Sequence, residues 1–127
     1  MLTKVPLRAV MWLVGVALLA ACGLARADEV PLVTGEQWTR STPDLKKAYL
    51  LGIANLVQIE TAYYAANPPP DSQNFVPRVA RGLKGHTLDS ARDGLDRWYA
   101  AHPDELGRPV LETLWFELVV PGLQNSK

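Results

Sequence analysis

The sequence predicts an all-α protein: a small bundle of three main helices plus a short fourth, with an αα-hairpin in its C-terminal half. Three observations carry that prediction. Apolar residues recur three and four apart in the stretches 43–66, 87–101 and 109–121, which sets each row on one helical face. Helix-start signals precede two of these stretches, Thr42-Pro43-Asp44 and Thr87-Leu88-Asp89. No alternation of apolar and polar residues long enough for a strand occurs along the chain.

The elements follow in order. Residues 1–27 read as a signal peptide: Lys4 and Arg8 supply a positive start, and Ala9 to Ala21 carries no charge. That apolar run is shorter than the ~20 residues a membrane-spanning helix needs. Two cleavage sites compete. Ala25-Arg26-Ala27 suits the ordinary signal peptidase, whereas Leu19-Ala20-Ala21-Cys22 has the form of a lipobox, in which Cys22 would become the lipidated first residue. Cys22 is the single cysteine, so no internal disulfide is available and the fold must rest on its core.

Residues 28–41, with Pro31 and Gly35 and no periodicity, read as an extended lead-in whose Trp38 docks onto the core. The helical domain is then expected over residues 42–121. Its longest helix runs from Pro43 to about Ala66, with Leu45, Ala48, Tyr49, Gly52, Ile53, Leu56, Ile59 and Tyr63 as its core stripe. Asn67 and the prolines 68–70 stop it, and a stiff connector leads to a short helix over 75–83. Lys84-Gly85-His86 makes a turn, and Thr87 caps the first arm of the hairpin. That arm carries Leu88, Ala91, Leu95, Trp98 and Tyr99 on one face, with Gly94 marking a close approach of a neighbouring helix. The hinge His102-Pro103-Asp104 leads to the second arm, Pro109 to Pro121, and Trp98 and Trp115 are expected to be largely buried between the arms. Pro121-Gly122 ends the helix, leaving residues 122–127 as a loose tail.

Charge and motifs narrow the function. Without residues 1–27, thirteen basic residues become ten against thirteen acidic ones, a net charge of −3. Bulk electrostatics of that sign argue against a nucleic-acid partner. His86 and His102 stand apart, without H-E-x-x-H or E-x-x-H spacing, so neither a metal site nor a cofactor is expected. His102, next to Pro103 at a helix end, reads as a cap for helix carbonyls. No G-x-S-x-G elbow and no phosphate-binding glycine loop occurs, and the expectation is a protein that is not an enzyme. Glu60, at the edge of the long helix's stripe, needs a counter-charge or hydroxyl, for which Arg92, Arg97 and a tyrosine are the candidates. Glu112 and Glu117, among the apolar residues of the last helix, either order the hairpin or face a partner. Arg78, Arg81 and Lys84 form a local basic run, read either as a solvated face or as candidate contacts for an acidic partner.

The combination Lys47-Ala-Tyr-Leu-Leu-Gly52, Leu88…Leu95…Tyr99, His102-Pro103…Leu106…Pro109 and a final apolar helix ending in Pro121 resembles the Tai-type immunity proteins. These are small exported helical proteins that neutralise amidase effectors of type VI secretion in the periplasm. The resemblance covers roughly residues 47–121 and transfers no inhibitory residue by position. It departs from many members in having no cysteine after Cys22. It implies a periplasmic binding protein that acts by contact with another periplasmic protein. The alternative is an envelope accessory lipoprotein tethered to the membrane through Cys22.

The first expectation is directly measurable. The intact mass of the exported protein should correspond to a chain beginning at Asp28 without acyl groups; a diacylated chain beginning at Cys22 would establish the lipoprotein alternative instead.

Overall fold

The structure, a computed structural model, describes residues 30–67, 70 and 74–125, so the signal peptide expected over residues 1–27, with Cys22, lies outside the described residues. The described elements are all helical: α1 (Gly35–Arg40), α2 (Pro43–Tyr63), α3 (Phe75–Gly82), α4 (Leu88–Ala101), a 3-10 turn (Pro103–Glu105), α5 (Val110–Leu114), a π-helical segment (Trp115–Val119) and α6 (Val120–Asn125). The last three run on as one rod, which with α4 forms the expected αα-hairpin. Among the described residues no strand forms, and the one isolated β-bridge joins Thr34 to Pro109. The chain is an all-α bundle.

Side-chain caps set the starts of α1, α2 and α4. Thr42 accepts the Leu45 amide at 3.3 Å with Pro43 in the first turn, as the sequence indicates. Thr87 and Ser90 form a reciprocal box, each hydroxyl accepting the other's backbone amide, at 3.0 and 2.9 Å. At the far end of α4, His102 Nδ1 lies 2.8 Å from the Trp98 carbonyl, the capping role expected of it.

α4 supplies the centre of the core. Ala91, Leu95 and Tyr99, four residues apart, are buried against Trp38, Leu50, Val110, Leu114 and Leu118. Gly94 lies against Leu118, where an added Cβ would come within 3.1 Å of Cδ2, so its place in the helix reflects the close approach of the rod. Trp38 and Tyr99 are each only 1% exposed. Deleting an aromatic ring buried to that degree costs about 3–5 kcal/mol, a large part of a small domain's stability.

The lead-in differs from expectation. Residues 35–40 are helical because Thr34 and Gln37 make a capping box, Thr34 N donating to Gln37 Oε1 at 2.9 Å and Gln37 N to Thr34 Oγ1 at 3.4 Å. This short helix delivers Trp38 to the core, as its docking role requires. The indole Nε1 donates to Asp96 Oδ1 at 2.8 Å, and Lys46 Nζ donates to the same oxygen at 2.8 Å.

The Lys46–Asp96–Trp38 cluster fixes the rotation of α2, and that rotation overturns the expected stripe. The face with Lys46, Tyr49, Leu50, Ile53, Ala54 and Val57 turns inward, and Leu50 alone of this helix is fully buried. Leu45, Leu56, Ile59 and Tyr63, expected in the core, are exposed. α2 is apolar on two sides, so periodicity alone selects neither. The helix also ends at Tyr63, three residues short of the expected Ala66.

The C-terminal boundary moves too. Proline has no N–H, and its ring crowds the carbonyl four residues back, which should stop an α-helix at Pro121. Here the preceding turn is π-helical, with the Val120 amide donating to the Trp115 carbonyl, five residues back. The widened turn accommodates Pro121, and helix continues to Asn125 where a loose tail was expected. Gly122 then meets Gly82 backbone to backbone; a Cβ on Gly122 would collide with the Gly82 carbonyl oxygen. Two glycines thus let α3 and α6 touch.

Trp98 and Trp115 are only partly buried, against the expectation for both. Trp98 stacks on His102 with centroids 4.2 Å apart, and Trp115 stacks on Phe75 at 4.6 Å. Glu60 takes none of its expected partners: Arg92 instead binds Asp89 at 3.1 Å and Asp93 at 2.8 Å.

Tyr99 offers a test of this core. Its hydroxyl donates to the Arg108 carbonyl at 2.9 Å and lies 2.9 Å from Thr113 Oγ1. Burial raises its pKa above the ordinary 10.0, with the Thr113 hydrogen bond and the Arg108 charge acting in the opposite direction. The Tyr49 pKa is raised as well, first by burial and then by Tyr99. A raised tyrosine pKa means that the unfolded chain loses its proton first. The stabilisation is therefore complete below about pH 10 and is lost as pH climbs from there through the folded-state value. Tyr99→Phe should lower stability at neutral pH by about 1 kcal/mol, the worth of a typical hydrogen bond, while flattening the alkaline decline. Thermal melts of both proteins across the alkaline range measure this; equal declines would contradict it.

Candidate interaction surface

The N-terminus of α3 and the π-helical segment meet in a patch of aromatic rings. Asn74 precedes α3 in extended conformation, and Pro77, within the first turn, costs no helix hydrogen bond. Phe75 therefore starts the helix, half-exposed at 48%, and stacks on Trp115 at an interplanar angle of 27°. Arg78, one turn on, sets its guanidinium 4.9 Å from the centre of the Trp115 ring. Phe116, 52% exposed, extends the apolar surface. Together with Leu32, Pro109 and Leu111 these rings line a shallow depression of about 290 Å³, with Glu112 at its edge.

The π turn makes this arrangement. It inserts an extra residue per turn, so Leu114, Leu118 and Val119 all reach the core while Trp115 and Phe116 face away from its centre. Arg108 holds the base of the patch. Its guanidinium reaches Glu112 at 3.2 Å and Glu117 at 3.0 Å, and lies 5.6 Å from the Phe116 ring and 4.7 Å from the Trp98 ring. Both glutamates thus order the hairpin through one arginine that the sequence did not single out.

Of the basic candidates, Arg78 joins the patch, half-buried against Trp115. Arg81 follows three residues on along exposed helix surface, and Lys84 is exposed in the turn beyond α3. Cys22 lies outside the described residues.

Two further hollows border α4. An apolar cleft of about 350 Å³ between α2, α3 and α4 is lined by Leu50, Ile53, Val57, Leu83 and Leu88, with His86 and Gln58 among its polar lining. A more polar cleft of about 480 Å³ between α4 and the C-terminal rod includes both histidines, Arg97 and Glu117. His86 and His102 sit at opposite ends of α4, and among the described residues no three His, Cys, Asp or Glu side chains gather as a metal-binding group.

Comparison of the chain with protein-family models, with curated proteins and with solved structures yields no match.

Proposed function

We propose that this chain is an exported helical binding protein of the immunity or inhibitor type, acting in the periplasm through contact with another protein. The observation that carries the reading is the Phe75–Trp115–Phe116 surface with Arg78 laid against it. Tryptophan, phenylalanine and arginine are the residue types enriched at the energetic centres of protein interfaces. The large area and few rotatable bonds of the two aromatic types let them bind at low entropic cost. The signal-peptide pattern supports the compartment, and the likeness of residues 47–121 to Tai-type proteins supports an amidase effector as the partner class.

In this reading Trp115 is the anchor, Phe75 and Phe116 exclude water around it, and Arg78 supplies a directed positive charge. Arg81 and Lys84, farther along, steer an acidic partner and govern association rate more than affinity. The envelope lipoprotein alternative rests on the Leu19-Ala-Ala-Cys22 sequence and would add a membrane anchor to the same domain.

The test is titration of the purified protein against a peptidoglycan amidase effector encoded by the same host. We expect a stoichiometric complex that blocks amidase activity. Trp115→Ala should weaken it at least roughly thirtyfold, as expected for an interface hot spot, with helical content unchanged. Reversing the charges of Arg78, Arg81 and Lys84 should slow association most at low salt. An uninhibited amidase, together with turnover of peptidoglycan fragments by the protein itself, would replace this reading with a catalytic one.

A further inference from the structure

The apolar cleft between α2, α3 and α4 follows from the placement of α3. Gly82 lies against Val119 and meets Gly122 backbone to backbone, so α3 packs on the C-terminal rod and on α2 rather than on α4. The space left between α3 and α4 is a cleft of about 350 Å³ that reaches the core side chains Leu50, Val79, Ala91 and Leu114. Close-packed interiors hold few voids larger than a water molecule, about a tenth of this volume. Water held against such apolar walls is released at a gain when an apolar ligand takes its place.

The polar part of the lining is gathered at one end. Lys46 bonds Asp96 where the start of α2 meets the later half of α4. Gln58, farther along α2, shares the cleft with His86 and Thr87, which precede α4. The two helices therefore run antiparallel, and these three side chains lie together. Among the described residues no carboxylate lines the cleft. Asp89, the acidic residue of α4's first turn, is held by Lys47 at 3.2 Å and by Arg92 at 3.1 Å. The first amides of α4 bring the partial positive charge of a helix N-terminus to this end. Lys84, exposed in the turn between the lining residues Leu83 and His86, adds a full one. The mouth is thus positive and rich in hydrogen-bond donors, while the interior is apolar. We propose that the cleft binds a medium-chain fatty acid, its alkyl chain against Leu50, Ala91 and Leu114 and its carboxylate at Gln58 and His86. Sites for small ligands begin at roughly 300 Å³. The cleft has room for about ten groups of a water's ~30 Å³ share of the liquid, which suits a chain of about ten carbons.

The cleft shares no residue with the depression at Phe75, Trp115 and Phe116, so its test does not depend on the amidase reading. Calorimetric titration of the purified protein with decanoate at neutral pH should show one site with a dissociation constant below about 100 μM. Decanol, with the same chain and no charge, should bind at least roughly tenfold more weakly. Gln58→Ala with His86→Ala should weaken decanoate by at least roughly tenfold and leave decanol unchanged, since hydrogen bonds to a charged group are lost. Ala54→Phe, which fills the cleft from α2, should abolish decanoate binding with helical content unchanged. In the unaltered protein, methyl resonances of Leu50, Leu83 and Leu88 should shift along the same saturation curve, which locates the site whether or not the filled variant folds. Absence of saturable decanoate binding up to about 1 mM would overturn the proposal. So would equal affinity for decanol, or methyl shifts confined to the surroundings of Phe75 and Trp115.

Discussion

Arg108 joins the two ends of the described fold. Its carbonyl accepts the Gly35 amide at 3.0 Å and the Tyr99 hydroxyl at 2.9 Å, and its guanidinium spans Glu112 and Glu117. The segment before α1 is thereby tied to the hinge of the αα-hairpin. The Glu36 amide donates to the Leu106 carbonyl at 2.8 Å, and the Val110 amide to the Val33 carbonyl at 2.8 Å. Gly35 is required at this seam, since a Cβ there would enter the Tyr99 ring. A hinge loop would otherwise leave carbonyls without partners in a partly buried place. The N-terminal segment satisfies them and in the same stroke carries Trp38 beneath α2 and α4.

From that seam the remaining surfaces follow. Trp38 meets Asp96, Asp96 binds Lys46, and Lys46 sets which side of α2 faces the bundle. The opposite apolar side is left outward. On the other flank, the hairpin's second arm enters its π turn and presents Trp115 and Phe116 beside α3. A small domain is thus left with two apolar surfaces larger than its own core needs.

Much of the fold was legible in the sequence. Thr42-Pro43 and Thr87 state their caps openly, and Ala91, Leu95 and Tyr99 state the buried face of α4. Thr34-Gly-Glu-Gln37 was a capping box of the same kind, but the nearby Pro31 and Gly35 suggested extended chain, and the box prevailed. The facing of α2 was not legible, because two apolar stripes compete and a partly buried lysine decided between them. Nor was the π turn, which allows Pro121 inside a helix and depends on how the rod packs against α3 and α4. Arg78 stood out as a basic residue, but its stacking on Trp115 joins segments distant in the chain. Arg108 gave no signal, since half of its role belongs to a backbone carbonyl.

The seam between the N-terminal segment and the hairpin hinge belongs to the cooperative core. Native-state hydrogen exchange tests it most directly, because each seam bond has its own amide. The Gly35, Glu36 and Val110 amides should exchange only through openings as rare as those exposing Leu95 and Tyr99 in α4. Exchange of those three amides at the rate of a frayed terminus, with α4 still protected, would contradict it.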